Sequence, residues 1–267
     1  MKRNIIFLLT ALLAVLLLGC DERGAEIYDP DEGAYDAWLI TDEIIRDADS
    51  LEVSINEILV LFDNSDSGYE ISNTGTVKQV ARSDDDIDFE ISLKLTSGDT
   101  TNRVDGYYTE GYMHYNYQDS KYKRLTDAES AKREVYADML DLSSLPIKSS
   151  SITEVKGGRM LTFMLDGSSD IFDFTKNSII YSFSLSNDEK GAEPTKIEIE
   201  NDVIYKVEID KNYSFKNITM AFTADITFMG AGLKTYYEIT KKAIKIGGVT
   251  IKFPVDLNEY IDITDSQ

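Results

Sequence analysis

Through most of the chain, hydrophobic and polar residues alternate with a period of two, and the alternation stops only at short turn-rich breaks. Val53, Ile55, Leu59 and Leu61 fall on one side of a predicted strand, with Ser54 and Asn56 on the other. Phe89, Ile91, Leu93 and Leu95 alternate with Glu90, Ser92 and Lys94, and Val203, Tyr205, Val207 and Ile209 alternate with Lys206, Glu208 and Asp210. Ile218, Met220, Phe222, Ala224, Ile226 and Phe228 then form one long apolar face that something must cover. The breaks at 63–68, 83–86 and 97–101 are rich in Asp, Ser and Gly, which predicts hairpins and hence an antiparallel meander.

Two segments carry a helical period instead. Ala34, Ala37, Trp38, Thr41, Ile44, Ile45 and Ala48 recur at the spacing of one amphipathic helix. Thr126 and Glu129 match a capping box that opens a second helix to about Leu142, with Ala131, Val135 and Met139 on one side. A further short helix is expected between Asp166 and Lys176. The fold class read from this order is α+β, with one large curled antiparallel sheet. The chain shows two similar halves, each a helix with a meander, but no sharp repeat period. The link from Asp141 to Ser151 is short, so a single domain over residues 34–267 is expected.

Residues 107–125 are rich in tyrosine (Tyr107, Tyr108, Tyr112, Tyr115, Tyr117, Tyr122) and are broken at Glu110-Gly111 and Asp119-Ser120. Tyrosine is a good strand residue, so this composition reads first as sheet packing.

The N-terminus follows another logic. Lys2 and Arg3 precede an apolar run from Ile5 to Leu18, which has the length of a signal peptide and is short for a membrane span. The run ends in Leu17-Leu18-Gly19-Cys20, which resembles the lipobox of bacterial lipoproteins. The resemblance implies cleavage between Gly19 and Cys20, lipidation of Cys20 with diacylglycerol and a further acyl chain such as palmitate, and anchorage on the extracytoplasmic face of the cell membrane. Two or three acyl chains anchor stably, since each buried methylene contributes ~0.8 kcal/mol. Residues 20–33 are acidic, contain Pro30 and lack periodicity, and read as a tether. Cys20 is the single cysteine, so no disulfide forms within the chain.

A formal net charge of −21 argues against nucleic acid and against attraction to anionic headgroups, and reads as a well-hydrated surface. A hydrophobic content of 42%, with 11 Phe and 16 Tyr, is enough for a real core.

The search for chemistry is short. His114 is the one histidine, and by alternation it shares a polar, solvent-facing side with Tyr112, Asn116 and Gln118. No G-x-S-x-G elbow surrounds a serine. Asp63, Ser65, Ser67 and Gly68 imitate the opening of a calcium loop, but Thr74 stands where the bidentate Glu belongs. Asp84, Asp85, Asp86 and Asp88 read as a solvated turn rather than a weak Ca²⁺ site. The expectation is therefore no catalytic residue, no metal and no cofactor: not an enzyme.

The lipobox, the leading amphipathic helix, the meander, the Tyr-rich run from Asp105 to Lys123, the mid-chain helix and the second meander together resemble Gram-positive lipoproteins of unknown function. These are similar in architecture to the LolA-like and LppX/LprG-like lipoprotein and lipid carriers. The resemblance implies a half-barrel sheet with two or three helices covering its concave face and an apolar cavity between them. It further implies binding or transfer of a lipid or other hydrophobic ligand. The resemblance assigns no ligand residue individually; the candidate apolar sheet face, read from the alternation, is Ile218, Met220, Phe222, Ile226 and Phe228. The alternative is a non-enzymatic envelope lipoprotein that binds an unidentified protein through a sheet edge or an acidic face. An exported hydrolase would need a catalytic constellation that the sequence does not display.

Overall fold

The computed structural model describes residues 33–62, 68–81, 83, 86–117, 120–128, 130–131, 142, 147–168, 172, 194–200, 202–228 and 231–264. Residues 33–267 form one compact unit. Gly19, Cys20 and the tether lie outside the described residues.

One α-helix, α1 (Ala34–Asp47), precedes the strands β1 (Ser50–Phe62), β2 (Gly68–Ala81), β3 (Ile87–Ser97), β4 (Thr100–Thr109), β5 (Tyr112–Tyr117) and β6 (Ser120–Leu125). The second half contributes β7 (Ile147–Val155), β8 (Gly158–Leu165), β9 (Pro194–Ile199), β10 (Val203–Asp210), β11 (Phe215–Phe228), β12 (Ala231–Ile246) and the two-residue β13 (Ile261–Asp262). All thirteen strands belong to one sheet, ordered β13-β6-β5-β4-β3-β2-β1-β12-β11-β10-β8-β7, with β9 also paired to β11. The first half is a meander in sequence order, the second is one except that β8 pairs with β10 and β9 pairs with β11, and the halves fuse where β1 pairs antiparallel with β12, from Leu51 opposite Ile246 to Phe62 opposite Lys234. The first and last strands in the path are not joined to each other. A path this wide, twisting by roughly 20–25° at each pair, coils rather than lying flat.

The expected hairpins form where the turn chemistry demands them. Thr109 pairs with Tyr112 around Glu110 and Gly111, both at positive φ (52° and 79°), which is the geometry of a tight two-residue hairpin turn. Ser97 pairs with Thr100 around Gly98, also at positive φ.

Helix α1 carries Asp36 in its first turn and Arg46 in its last, both signs favourable to its dipole. Its buried stripe is Ala34, Ala37, Trp38 and Thr41, and it packs against β7 and β8. Trp38 meets the ring of Tyr205 edge-on at 5.8 Å between centroids, which defines the helix-bearing, inner face of the sheet.

The second helix begins differently from the expectation. Thr126 is not its cap: the Thr126 N–H donates to Gly111 O at 3.0 Å and closes the strand. Asp127 caps instead, its Oδ1 accepting from the Ser130 N–H at 2.7 Å, because a carboxylate one residue later reaches the first orphan donors of the turn. Ala128, Ser130 and Ala131 are helical. Residues 129 and 132–141 and most of the expected short helix at 166–176 lie outside the described residues, so one complete α-helix is seen among the described residues where two or three were expected. None of the described helices is long and apolar enough to cross a membrane.

A C-terminal strap runs over the outer face. It leaves β12 where the Val249 N–H donates to Ser50 Oγ at 2.9 Å. It then packs Phe253 against Tyr107 (6.3 Å) and Tyr260 against His114 (5.3 Å). Lys121 pairs with Asp256, and β13 ends the strap by pairing parallel with β6.

Candidate functional site

The strand registers align inner-face residues in rows that cross the sheet. One row reads Leu161, Val207, Ile218, Lys241, Ile55, Gly75, Leu93, Val104. The next reads Phe163, Tyr205, Met220, Ile239, Glu57, Asn73, Leu95, Asn102.

The two ends of these rows differ in burial. On β8, β10 and β11 every inner side chain of the rows is sealed: Leu161, Phe163, Tyr205, Val207 and Met220 are fully buried and Ile218 nearly so. On β1 to β4, Ile55, Gly75, Leu93 and Val104 are only half-buried, as are Glu57, Asn73 and Asn102. Along these strands the flanking positions close again, with Leu59, Ile71 and Ser97 buried on one side and Leu51, Phe89 and Tyr108 on the other. Water therefore reaches an apolar patch in the middle of the inner face.

The candidate face on β11 sits in the sealed part. Ile218, Met220, Phe222 and Ile226 share the inner side and are packed by neighbours, Phe222 stacking on Tyr237 at 5.0 Å. Phe228 ends β11 opposite Ala231, and its side chain lies outside the described residues.

At the border of the open patch stands a polar group not expected from the sequence. Asn73 Nδ2 donates to Glu57 Oε2 at 2.5 Å, and the Tyr237 phenol donates to Glu57 Oε1 at 3.0 Å. Lys241, 2% exposed, occupies the adjacent row on β12. Thr235, two rows beyond Glu57 on the side away from Lys241 and opposite Leu61, is buried, and its hydroxyl has no hydrogen-bond partner. The signal was present: Glu57 stands in phase between Ile55 and Leu59, Asn73 in phase with Ile71 and Val77, and Lys241 in phase with Tyr237 and Ile239. A polar residue on the buried phase of a strand costs free energy unless it is bonded or used.

Gly75 lies inside the patch for a steric reason. A Cβ there would fall 2.0 Å from the carbonyl oxygen of Ser92, so only glycine lets β2 and β3 approach at that point.

His114 corrects the sequence expectation. It does share a face with Tyr112 and Asn116, but that face is covered by the strap, and His114 is 6% exposed rather than solvent-facing. Its Nδ1 lies 3.3 Å from Tyr107 O. Burial holds the imidazole below its ordinary pKa, opposed by hydrogen bonds to backbone at Tyr107 and Tyr112 and reinforced by Lys123. Burial likewise pushes the Tyr107 and Tyr260 phenols up.

The imitated calcium loop falls at the β1–β2 hairpin. Gly68 opens β2 and Thr74 sits in its middle, while residues 63–67, Asp84 and Asp85 lie outside the described residues; Asp88 is buried in β3. Among the described residues no group of His, Cys, Asp and Glu is arranged to hold a metal. Two surface depressions occur elsewhere. One of about 510 Å³ is lined by Glu208, Lys216, Asn217, Lys242 and Lys245. The other, about 460 Å³, is lined by Lys148, Asp166, Glu200 and Asp202. Both have charged rims and neither lies on the open inner patch.

No family model matches the sequence, and no curated protein matches it. Among solved structures, the chain is similar to LprF from Mycobacterium bovis at 11% identity, covering 83% of this chain and 98% of that one with a TM-score of 0.38. It is also similar to a putative outer membrane lipoprotein-sorting protein domain from Vibrio parahaemolyticus, at 8% identity, 85% and 96% coverage and a TM-score of 0.30. A β-barrel-like protein from Brucella abortus follows at 10% identity, 75% and 98% coverage and a TM-score of 0.21. These likenesses transfer no ligand and no residue role.

Proposed function

We propose that this chain is a lipoprotein anchored through Cys20 on the extracytoplasmic face of a membrane, and that its inner sheet face binds or transfers a lipid or other hydrophobic molecule. The observation that carries the reading is the set of partly buried apolar side chains Ile55, Ile91, Leu93 and Val104, the first two packed against the core, between more fully buried flanks of the inner face. Partly exposed aliphatic side chains on the inner side suit a ligand site, which is a concave, mostly apolar surface with a few placed polar groups. Binding without catalysis is supported by the position of His114, beneath Tyr260 and away from that patch. The β11 residues Ile218, Met220, Phe222 and Ile226 serve in this reading as the rigid wall behind the patch.

The experiment is extraction of the unlipidated chain, carrying Cys20→Ser and purified without detergent, into organic solvent followed by mass spectrometry. The whole described core and all thirteen strands lie in residues 33–267, so the variant retains every one of them. A stoichiometric lipid supports the reading. Absence of any retained lipid, together with no uptake of added acyl lipid, would contradict it.

A second reading, docking of an envelope protein, is favoured by one feature. β7 stands at the edge of the sheet, is exposed along most of its length, contains no proline and among the described strands pairs only with β8. Such an edge accepts an added strand. A proline at Ser150, whose N–H faces the open edge, would abolish capture of such a partner and leave lipid uptake unchanged.

A further inference from the structure

The strap over the outer face is thin and is seated at one point. From Thr250 to Thr264 every side chain is exposed or half-buried except that of Tyr260, which is 4% exposed. Tyr260 is the pin of the strap, and it sits edge-on to the ring of His114 at 5.3 Å, with Tyr112 at 6.3 Å from the same imidazole. The other ties described are the Lys121–Asp256 pair, the contact of Phe253 with Tyr107, and two hydrogen bonds of 2.9 Å, from the Ile263 N–H to Lys123 O and from the Leu125 N–H to Thr264 Oγ1. β13 adds a parallel ladder of two residues.

The groups around His114 disfavour a charge on it. On β6, Lys123 stands opposite His114 with its ammonium over the Tyr112 ring at 5.4 Å, and Lys121 lies over the Tyr260 ring at 5.7 Å. β4 supplies the Tyr107 carbonyl, 3.3 Å from Nδ1, and the Tyr107 phenol, with Glu90 beyond it on β3, and the β4–β5 turn supplies Glu110. The strap supplies Asp256, paired with Lys121, then Glu259, Tyr260 and Asp262, which accepts from the Thr264 hydroxyl at 2.6 Å. An imidazolium here would be a third cation in a site closed to water. Lifting Tyr260 hydrates it with the smallest loss of structure, because β4, β5 and β6 are held by full antiparallel ladders and the strap is not.

We propose that the strap is an acid-operated cover: when His114 takes up a proton, residues 250–264 lift away and uncover Tyr107, Tyr112 and Lys123 on the outer face, while β1 to β12 stay paired. The proton comes from solvent to a ring nitrogen, and no other covalent bond changes. The neighbouring groups leave the range from pH 7.5 to 5.5 to His114. Asp256, held low by Lys121, and Asp262, held low by Thr264, stay ionised, and the Tyr107 and Tyr260 phenols, pushed up by burial, stay neutral. Burial holds His114 below its ordinary pKa while the strap is closed, so the open form binds the proton first as pH falls.

The test is hydrogen–deuterium exchange of the Cys20→Ser chain from pH 7.5 to 5.5, corrected for the intrinsic pH dependence of exchange. The opening ratio of the strap is expected to rise about tenfold for each pH unit below about 6.5, as long as the closed form stays neutral, with the amides of β1, β11 and β12 unchanged. Tyr260→Ala is expected to open the strap at every pH and to return His114 to an ordinary titration near about pH 6.5, read by NMR from the single histidine of the chain. Wild-type strap protection that does not change with pH would overturn the proposal. So would a loss of protection shared equally by β1, β11 and β12, which is global unfolding. Wild-type exchange alone decides between these results, so the outcome does not depend on the variant folding.

Discussion

The phenol of Tyr237 donates a hydrogen bond to Glu57 Oε1 at 3.0 Å across 180 positions of sequence. It ties the last long strand to the first at the seam where the two meanders become one sheet. The same half-buried carboxylate also accepts from Asn73 on β2, so Glu57 links three strands at that seam.

Removing that phenol tests the stability side. Tyr237→Phe keeps the stacking on Phe222 but takes one charge-assisted donor from a half-buried carboxylate. The expected cost is about 1–3 kcal/mol, read as a lower urea midpoint with an unchanged slope. No loss would mean that water replaces the phenol.

Trp38 is the anchor of α1. Trp38→Ala deletes the ring that meets Tyr205 and leaves a cavity in the inner core. A loss of about 3–5 kcal/mol is expected in chemical denaturation, with most of the β signal retained until the main transition. A loss under about 1 kcal/mol would show that the helix contributes little to the fold.

Gly75→Ala places a methyl group 2.0 Å from the Ser92 carbonyl oxygen, with backbone rather than a flexible side chain in the way. The two strands must separate, and the expected cost is at least about 2 kcal/mol. Gly111→Ala tests a different constraint, because nothing stands near its Cβ and only its positive φ resists the change. Its expected cost is smaller, about 1 kcal/mol.

His114 gives the strap a pH dependence of known sign. Its folded pKa lies below the ordinary value of the unfolded chain, so the unfolded state binds the proton first as pH falls. The stability due to a neutral, buried His114 is complete above about pH 6.5 and is lost as pH falls toward the lowered folded value. Thermal melts at pH 7.5 and 5.5 should show a larger drop for the wild type than for His114→Phe. Equal drops would place the acid sensitivity elsewhere.

Much of this architecture is legible in the chain, and the unreadable part has a physical cause. The helical spacing of Ala34, Ala37, Trp38 and Thr41 reports α1 because those residues share one face that must be buried. The alternation at Phe89–Leu95, Val203–Ile209 and Ile218–Ile226 reports inner faces for the same reason. The pairing of Val53 with Ala243 has no local signal, since any two apolar strands of that length are compatible. The burial of His114 is equally silent: alternation assigns it a side of β5, but only the strap, more than a hundred residues later, decides whether that side is wet. Glu57 and Asn73 did announce themselves as polar residues on an apolar phase. Their meaning waited on the register that makes them neighbours.

The most direct measurement of the central claim is photo-crosslinking with a diazirine-bearing palmitoyl glycerol, the adducts being mapped by peptide mass spectrometry. Adducts concentrated on Ile55, Ile91, Leu93 and Val104, and competed away by unlabelled lipid, are the predicted result. Adducts confined to the outer face, or scattered and insensitive to competitor, would contradict a ligand site on the inner sheet.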